Sequence, residues 1–459
     1  MSETYRATED HGGGAARLPR TDGGAVLRME DLHPGVADPV MGTMSFLNEV
    51  TLNYPEAISF APGRPYEEFF ETEQIFAHLR RYLDHLAAQG RSPAEVRSAM
   101  FQYGPSAGLI RGLIADSLRV DEGIDVPAES IVVTVGCQEA MFLVLRALIS
   151  GPDDVLLVSS PCYVGITGAA RLLDAEVVAV EEREGGLSCA DVKAAVLAER
   201  LWGRRPRALY VVPDHSNPSG ATMSLETRQE LLALADRLDL LILEDSPYRP
   251  VSPGAQLPTL KSLDRNRRVI HLGSYAKSLF PGARVGYVVA DQPVVKADGA
   301  TGLLADELAK IKSMITVNTS ALSQAVVAGA LLESGGRVSE LNAKVAAHYG
   351  DTMRVTLRGL EREFPAERRS RLGVSWNAPS GGFFLTLQVA FRADDAALGR
   401  SAQDFGVIWT PMTYFHPEGG GEYAIRLSTS YLSHANVDEG LRRLADFIES
   451  EVAAAHSRG

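Results

Sequence analysis

The segment Ser274-Tyr275-Ala276-Lys277-Ser278-Leu279-Phe280-Pro281-Gly282-Ala283-Arg284-Val285-Gly286-Tyr287 gathers a primary amine, two serine hydroxyls and a guanidinium around a Pro-Gly turn. A lysine amine condenses with an aldehyde to a Schiff base once its surroundings make it reactive. Arg284 and Ser274 bring the donors that a phosphate dianion takes, the arginine through two parallel N–H bonds. An isolated lysine is most often a solvated surface group. The whole S-x-x-K-x-x-x-P-G-x-R-x-G-Y pattern is what sets Lys277 apart.

Other residues with chemical use lie at the ends of apolar runs. Glu244-Asp245-Ser246-Pro247-Tyr248 closes the run 240–244. A carboxylate there caps a turn, or stabilises a cation beside it. Pro213-Asp214-His215-Ser216-Asn217-Pro218-Ser219-Gly220 is a turn by its composition. Gly136-Cys137-Gln138-Glu139-Ala140 sets a glycine turn at the start of a helix, where free N–H groups and the dipole favour an anion. Ile425-Arg426-Leu427-Ser428 holds one arginine in a mostly apolar strand, and a guanidinium grips a carboxylate at two points. Pro379-Ser380-Gly381-Gly382-Phe383-Phe384 is a glycine turn ahead of a strand, and Pro62-Gly63 belongs to a loop.

Taken in order along the chain, these elements resemble the class I/II aminotransferases, which depend on pyridoxal 5′-phosphate (PLP). The resemblance spans roughly residues 45 to 450. It implies PLP as cofactor, an internal Schiff base at Lys277, and Asp245 paired with the pyridine nitrogen. Asn217 and Tyr248 then donate to the ring O3′, and Tyr163 stacks on the ring. The phosphate falls to Gly136, Cys137, Gln138, Ser274 and Arg284, joined by Tyr103 of a neighbouring subunit. Arg426 takes the substrate carboxylate, and Gly63 lines the substrate pocket. Two positions depart from the family pattern: Cys137 stands where Ser or Ala is commoner, and Ser216 where Gln or Asn is. His215 has no assigned role.

The implied reaction moves an amino group between an amino acid and a 2-oxo acid, in a homodimer with shared active sites. β-Lyases, decarboxylases and synthases use the same fold. A carboxylate-binding Arg426 weighs against decarboxylation. A PLP-sensing transcription regulator would need an N-terminal DNA-binding domain, for which the sequence ahead of the matched region offers neither length nor a basic helix. The stretch Met44-Ser45-Phe46-Leu47-Asn48-Glu49 through Pro65 is similar to the aromatic and 2-aminoadipate branch, and beyond it to the dihydroxyphenylglycine transaminases of glycopeptide-antibiotic assembly.

The elements that must position these residues alternate. Apolar runs at 131–135, 155–158, 176–180, 208–212, 240–244, 268–272 and 286–290 read as strands, several apolar on both faces. Helical patterns at 139–149, 188–200 and 225–238 separate them. This predicts an α/β fold, the PLP-dependent transferase fold type I, whose large domain carries a mainly parallel seven-stranded sheet. Residues 303–363 read as long helices. Strands at 383–389 and 423–428 with helices at 391–405 and 436–455 predict a smaller α+β domain. The expected division is a disordered tail at 1–28, an N-terminal arm and substrate loop at 29–66, a large domain at 67–325, and a linking helix with the small domain at 326–459.

Composition narrows the setting. The chain has 459 residues, 45 % of them hydrophobic, with a net charge of −13. That balance opposes non-specific nucleic-acid binding, which depends on Lys and Arg. The longest apolar runs are too short to span a bilayer, and residues 1–28 hold no apolar signal core. Three cysteines, Cys137, Cys162 and Cys189, show no metal-ligand or disulfide spacing, so the expectation is a cytoplasmic protein without a bound metal.

Overall fold

The computed structural model describes residues 25–38, 40–43, 51–182 and 186–456. Residues 1–24 of the expected tail and the stretch Met44–Glu49 lie outside the described residues.

All seven expected strands form, and in one sheet. They are β1 (Ile131–Thr134), β2 (Asp154–Ser160), β3 (Glu176–Glu181), β4 (Arg205–Val211), β5 (Leu241–Asp245), β6 (Val269–Ser274) and β7 (Gly286–Val289). Their order is β1-β7-β6-β5-β4-β2-β3, and only β7 runs antiparallel to its neighbours. Successive residues of a strand point to opposite faces. Val132, Leu156, Tyr210, Leu243 and Ile270 accordingly enter one core, while Val133, Leu157, Leu209, Ile242 and Val269 enter the cores on the other side. Helices cover both faces, which is why several of these strands, such as β1, β2 and β7, are buried along their whole length. The first face is covered by α1 (Gly136–Leu148) and α2 (Val164–Leu172), among others; α3 (Leu225–Arg237) covers part of the other.

The topology sends the chemistry to one edge. The carboxyl ends of β5 and β6 are Asp245 and Ser274, and β1 ends just before Gly136. The register pairs Gly286, the first residue of antiparallel β7, with both Ser274 and Thr134. Ligands of open α/β sheets collect at this carboxyl edge.

A second, antiparallel sheet contains β8 (Ser375–Trp376), β9 (Phe384–Gln388), β10 (Thr410–Pro411) and β11 (Ala424–Ser428), ordered β8-β9-β11-β10. It shares a core with α4 (Ala343–Glu363) and α5 (His434–His456). Arg426 sits mid-strand in β11, opposite Thr386 and Thr410. Residues Ile58–Ser59 pair with Val407–Ile408, and Ser428 N donates to Phe60 O, so the Ala61-Pro62-Gly63 loop is drawn up beside Arg426.

The expected helical stretch 303–363 contains Leu304–Ile315, Ala321–Glu333 and α4. The pairs Pro293–Val295 with Thr301–Leu303, and the strands β8 and β10, escape a reading of the sequence, because two or three residues are too few to display an alternation. Among the described residues no helix is long and apolar enough to cross a membrane.

Candidate active site

Lys277 stands three residues beyond the end of β6, and its Nζ donates to Gly63 O at 2.6 Å. Burial, then the Arg284 and Arg426 guanidiniums, pull its amine down to about 8, against the opposing pull of Asp245. Such an amine is poised to react with a carbonyl near neutral pH.

β5 delivers two adjacent carboxylates to opposite faces. Glu244 accepts from Leu260 N and Lys261 N and meets His271 Nδ1 at 3.0 Å, away from the edge. Asp245 turns to the cavity. Its Oδ2 accepts from Tyr210 Oη at 2.7 Å and its Oδ1 from Cys137 Sγ at 3.3 Å. Burial raises its carboxyl, and these two donors oppose that rise.

The turn after β1 brings a guanidinium onto a helix start. Gly136 has φ +73°, and a Cβ there would lie 2.3 Å from Arg284 Nη2. The guanidinium therefore rests directly on the backbone at the start of α1, and only glycine permits both the conformation and the approach. Glu139 pins the turn from behind: it accepts from Val135 N at 2.6 Å, Lys312 Nζ at 2.7 Å and Thr316 Oγ1 at 2.6 Å. Gln138 uses its side-chain amide differently from a phosphate ligand, donating to Gly165 O at 2.7 Å beside the Tyr163 ring.

Arg426 is held on every side. Its guanidinium lies between the rings of Phe384 and Phe415, 4.4 Å and 4.7 Å from their centroids. Nη1 donates to Asn217 Oδ1 at 2.7 Å, and Nη2 to Ala61 O at 2.5 Å and Thr410 Oγ1 at 3.2 Å. Buried Nε has no hydrogen-bond partner among the described residues. Burial lowers the group to about 10, still cationic at neutral pH. Asn217 also meets the phenol of Tyr248, which burial keeps protonated.

Eleven of the thirteen expected residues line one cavity of about 210 Å³: Gly63, Cys137, Gln138, Tyr163, Asn217, Asp245, Tyr248, Ser274, Lys277, Arg284 and Arg426. Gly136 lies immediately behind it, against Arg284. Tyr103 does not join them and is 86 % exposed. His215 packs under the Gly381-Gly382 turn, outside the cavity wall. Sequence reasoning missed Arg64, Met141, Val212 and Phe384 in the lining, and Tyr210, Thr410 and Phe415 behind it. Phe384 had a signal in its glycine turn; Tyr210 looked like one more core residue of an apolar strand.

The donor set fits a phosphorylated pyridine aldehyde. A reactive amine, a carboxylate for a cationic nitrogen and a guanidinium seated on a helix start all open into one cavity, with the unpartnered Nε of Arg426 beside them. The family model described as aminotransferase class I and II matches residues 78–444. The chain belongs to this family. It is 45 % identical to the (S)-3,5-dihydroxyphenylglycine transaminase of Amycolatopsis orientalis, over 93 % of this chain and 95 % of that one. It is 32 % identical to a 2-aminoadipate transaminase of Thermus thermophilus, over 87 % and 92 % of the two chains. Among solved structures, an α-aminoadipate aminotransferase from Thermus thermophilus, complexed with N-(5′-phosphopyridoxyl)-L-leucine, superposes with a TM-score of 0.75 at 30 % identity, covering 93 % and 99 % of the chains.

The fold is the fold type I expected from the sequence, and the enzyme is a PLP-dependent aminotransferase. When bound, PLP supplies an electron sink for the charge left at the substrate Cα.

Proposed function

We propose that this aminotransferase acts on an arylglycine-type amino acid, (S)-3,5-dihydroxyphenylglycine or a close relative, in antibiotic biosynthesis. The 45 % identity to the Amycolatopsis transaminase over nearly both full lengths carries this reading. The cavity supports it: Phe384, Met141 and Val212 supply apolar wall, and Arg64 supplies a cation at an exposed position.

In this reading Lys277 would anchor PLP covalently, and Arg284, Ser274 and the Gly136-Cys137-Gln138 turn would hold its phosphate. Asp245 would serve the ring nitrogen, Asn217 and Tyr248 the O3′ oxygen, and Tyr163 the ring face. Arg426 fixes the substrate carboxylate at two points, aiming the Cα proton at the lysine. Lys277 Nζ would be the base that takes that proton and the acid that returns one. Its depressed basicity suits both halves of the transfer. Gly63 O, already its acceptor, gives the free amine a resting place.

The same reading makes the protein a cytoplasmic homodimer. Phe101, Tyr103 and Met314 are each more than four-fifths exposed, which supports a covering partner whose phosphate Tyr103 reaches. The three unpaired cysteines fit a reducing compartment.

The deciding experiment is an absorbance titration of the purified holoenzyme with aromatic, arylglycine and 2-aminoadipate donors. Conversion of the lysine-bound PLP band to that of pyridoxamine phosphate, fastest with dihydroxyphenylglycine and matched by release of its oxo acid, is the expected result. Preference for 2-aminoadipate or phenylalanine would overturn the substrate assignment. Light scattering of the same sample decides between dimer and monomer.

A further inference from the structure

Asp245 is 3 % exposed, and each of its oxygens is held from the protein side. Tyr210 comes from β4, the adjacent strand, and Cys137 from the first turn of α1, so the two donors reach the carboxylate from independent elements. Burial, and then the Asp245 charge, hold both the phenol and the thiol far above their usual ionisation range, so both keep their protons and donate. A buried carboxylate stripped of donors takes up a proton, because burial favours the neutral form. A neutral acid no longer stabilises a cationic ring nitrogen.

Packing alone does not require these groups. A phenylalanine would fill the Tyr210 position in the core beneath the sheet, lacking only the hydroxyl that meets Oδ2. Cys137 has two attachments: its backbone belongs to the anion turn, and its thiol points to Oδ1. That link between the turn at Gly136 and the Asp245 carboxylate gives Cys137 a use that alanine would not serve.

We propose that Tyr210 and Cys137 are positioning residues for Asp245, two proton donors that hold its carboxylate ionised and aimed at the pyridine nitrogen of PLP. They thereby set how strongly the ring withdraws electrons. The inference rests on the assignment of Asp245 to the ring nitrogen made above.

The test uses holoenzyme loaded with PLP carrying ¹⁵N in the ring, whose chemical shift reports protonation of that nitrogen. Asp245→Asn is measured alongside as the deprotonated reference. Tyr210→Phe is expected to move the shift part of the way to that reference, and Tyr210→Phe combined with Cys137→Ala further. Cys137→Ser, which restores a donor, is expected to stay near wild type. The preference of the apo-protein for PLP over its 1-deaza analogue, which has carbon in place of the ring nitrogen, should fall about tenfold in Tyr210→Phe, the usual loss for a hydrogen bond to a charged group. A wild-type shift in the double variant, or equal weakening of both cofactors, overturns the proposal, since a general loosening of the pocket would not discriminate between them. A wild-type shift in Asp245→Asn instead overturns the assignment of Asp245 itself. Should Tyr210→Phe fail to fold, the contrast between Cys137→Ala and Cys137→Ser decides: distinct shifts support the proposal and identical ones overturn it.

Discussion

Arg426 Nη1 and Asn217 Oδ1 meet at 2.7 Å, although 209 residues separate them. The bond joins the small-domain strand β11 to the loop that follows β4 of the large sheet. Asn217 thus joins Arg426, proposed for the substrate's carboxylate, to Tyr248, proposed for the ring of the cofactor. Arg426→Ala should therefore spare PLP binding while raising the KM for the amino donor about 100-fold or more, as expected when one member of a buried charge pair is truncated. Arg426→Lys should recover little, because an ammonium cannot form two parallel bonds to a carboxylate. Steady-state kinetics, with the visible PLP band monitored on the same samples, check both outcomes.

The Lys277 amine gives a pH dependence with a defined sign. Only the neutral amine attacks an aldehyde, and an ordinary lysine becomes neutral near about 10.4. Here burial and the two guanidiniums favour the neutral form, with the midpoint at about 8. Capture of PLP by the apo-protein should accelerate about tenfold per pH unit below that midpoint and level off above it. Arg426→Ala removes one of the cations that lower the amine, so its midpoint should move upward. Stopped-flow absorbance from about pH 6 to about pH 10, a range that brackets both midpoints, measures both profiles. A rate still climbing at the upper end would contradict the assignment. Lys277→Ala should abolish the lysine-bound band altogether.

The sequence made the residues that gather in the cavity legible more readily than their supports. Lys277, Asp245 and Asn217 stand at the ends of apolar runs, where a covered parallel sheet must present its loops, so motif and architecture pointed to one edge. Thr410 and Phe415, which hold Arg426, fall in a two-residue strand and a single turn, and neither shows a period. Tyr210 was hidden for the opposite reason: an aromatic in a buried strand is what the apolar pattern already calls for, and only its hydroxyl distinguishes it. Gln138 illustrates a third limit. Its place in the anion turn was readable, but not that its amide would be spent on Gly165 O, beside Tyr163.

Gly136 separates backbone strain from ligand geometry. Gly136→Ala should cost about 1–2 kcal/mol of stability for the left-handed backbone. It should also weaken PLP binding at least about tenfold, because the new methyl would displace Arg284 from the helix start. Gly254 provides the control: it has φ +82° and open space around the Cβ position. Gly254→Ala should lose comparable stability and keep full PLP affinity. Chemical denaturation and cofactor titration of the two variants make the comparison.

Arg228 extends the argument to a residue with no part in the chemistry. It is fully buried in α3, and its Nη2 bonds Asp214 Oδ1 at 2.5 Å. Nε donates to Met223 O and Nη2 to Pro213 O, so the guanidinium fixes both ends of the turn that carries Asn217. Arg228→Ala would leave Asp214 without its closest cation; Arg249 stands farther off, at 3.6 Å. Removing one partner of such a pair costs about 3–5 kcal/mol. Asp214→Ala should be similarly destabilising for the converse reason. The double variant removes both charges and should lose clearly less than the sum of the two single losses. If denaturation midpoints instead add, the pair is not the unit that holds the Asn217 turn, and the backbone bonds of the turn itself must be.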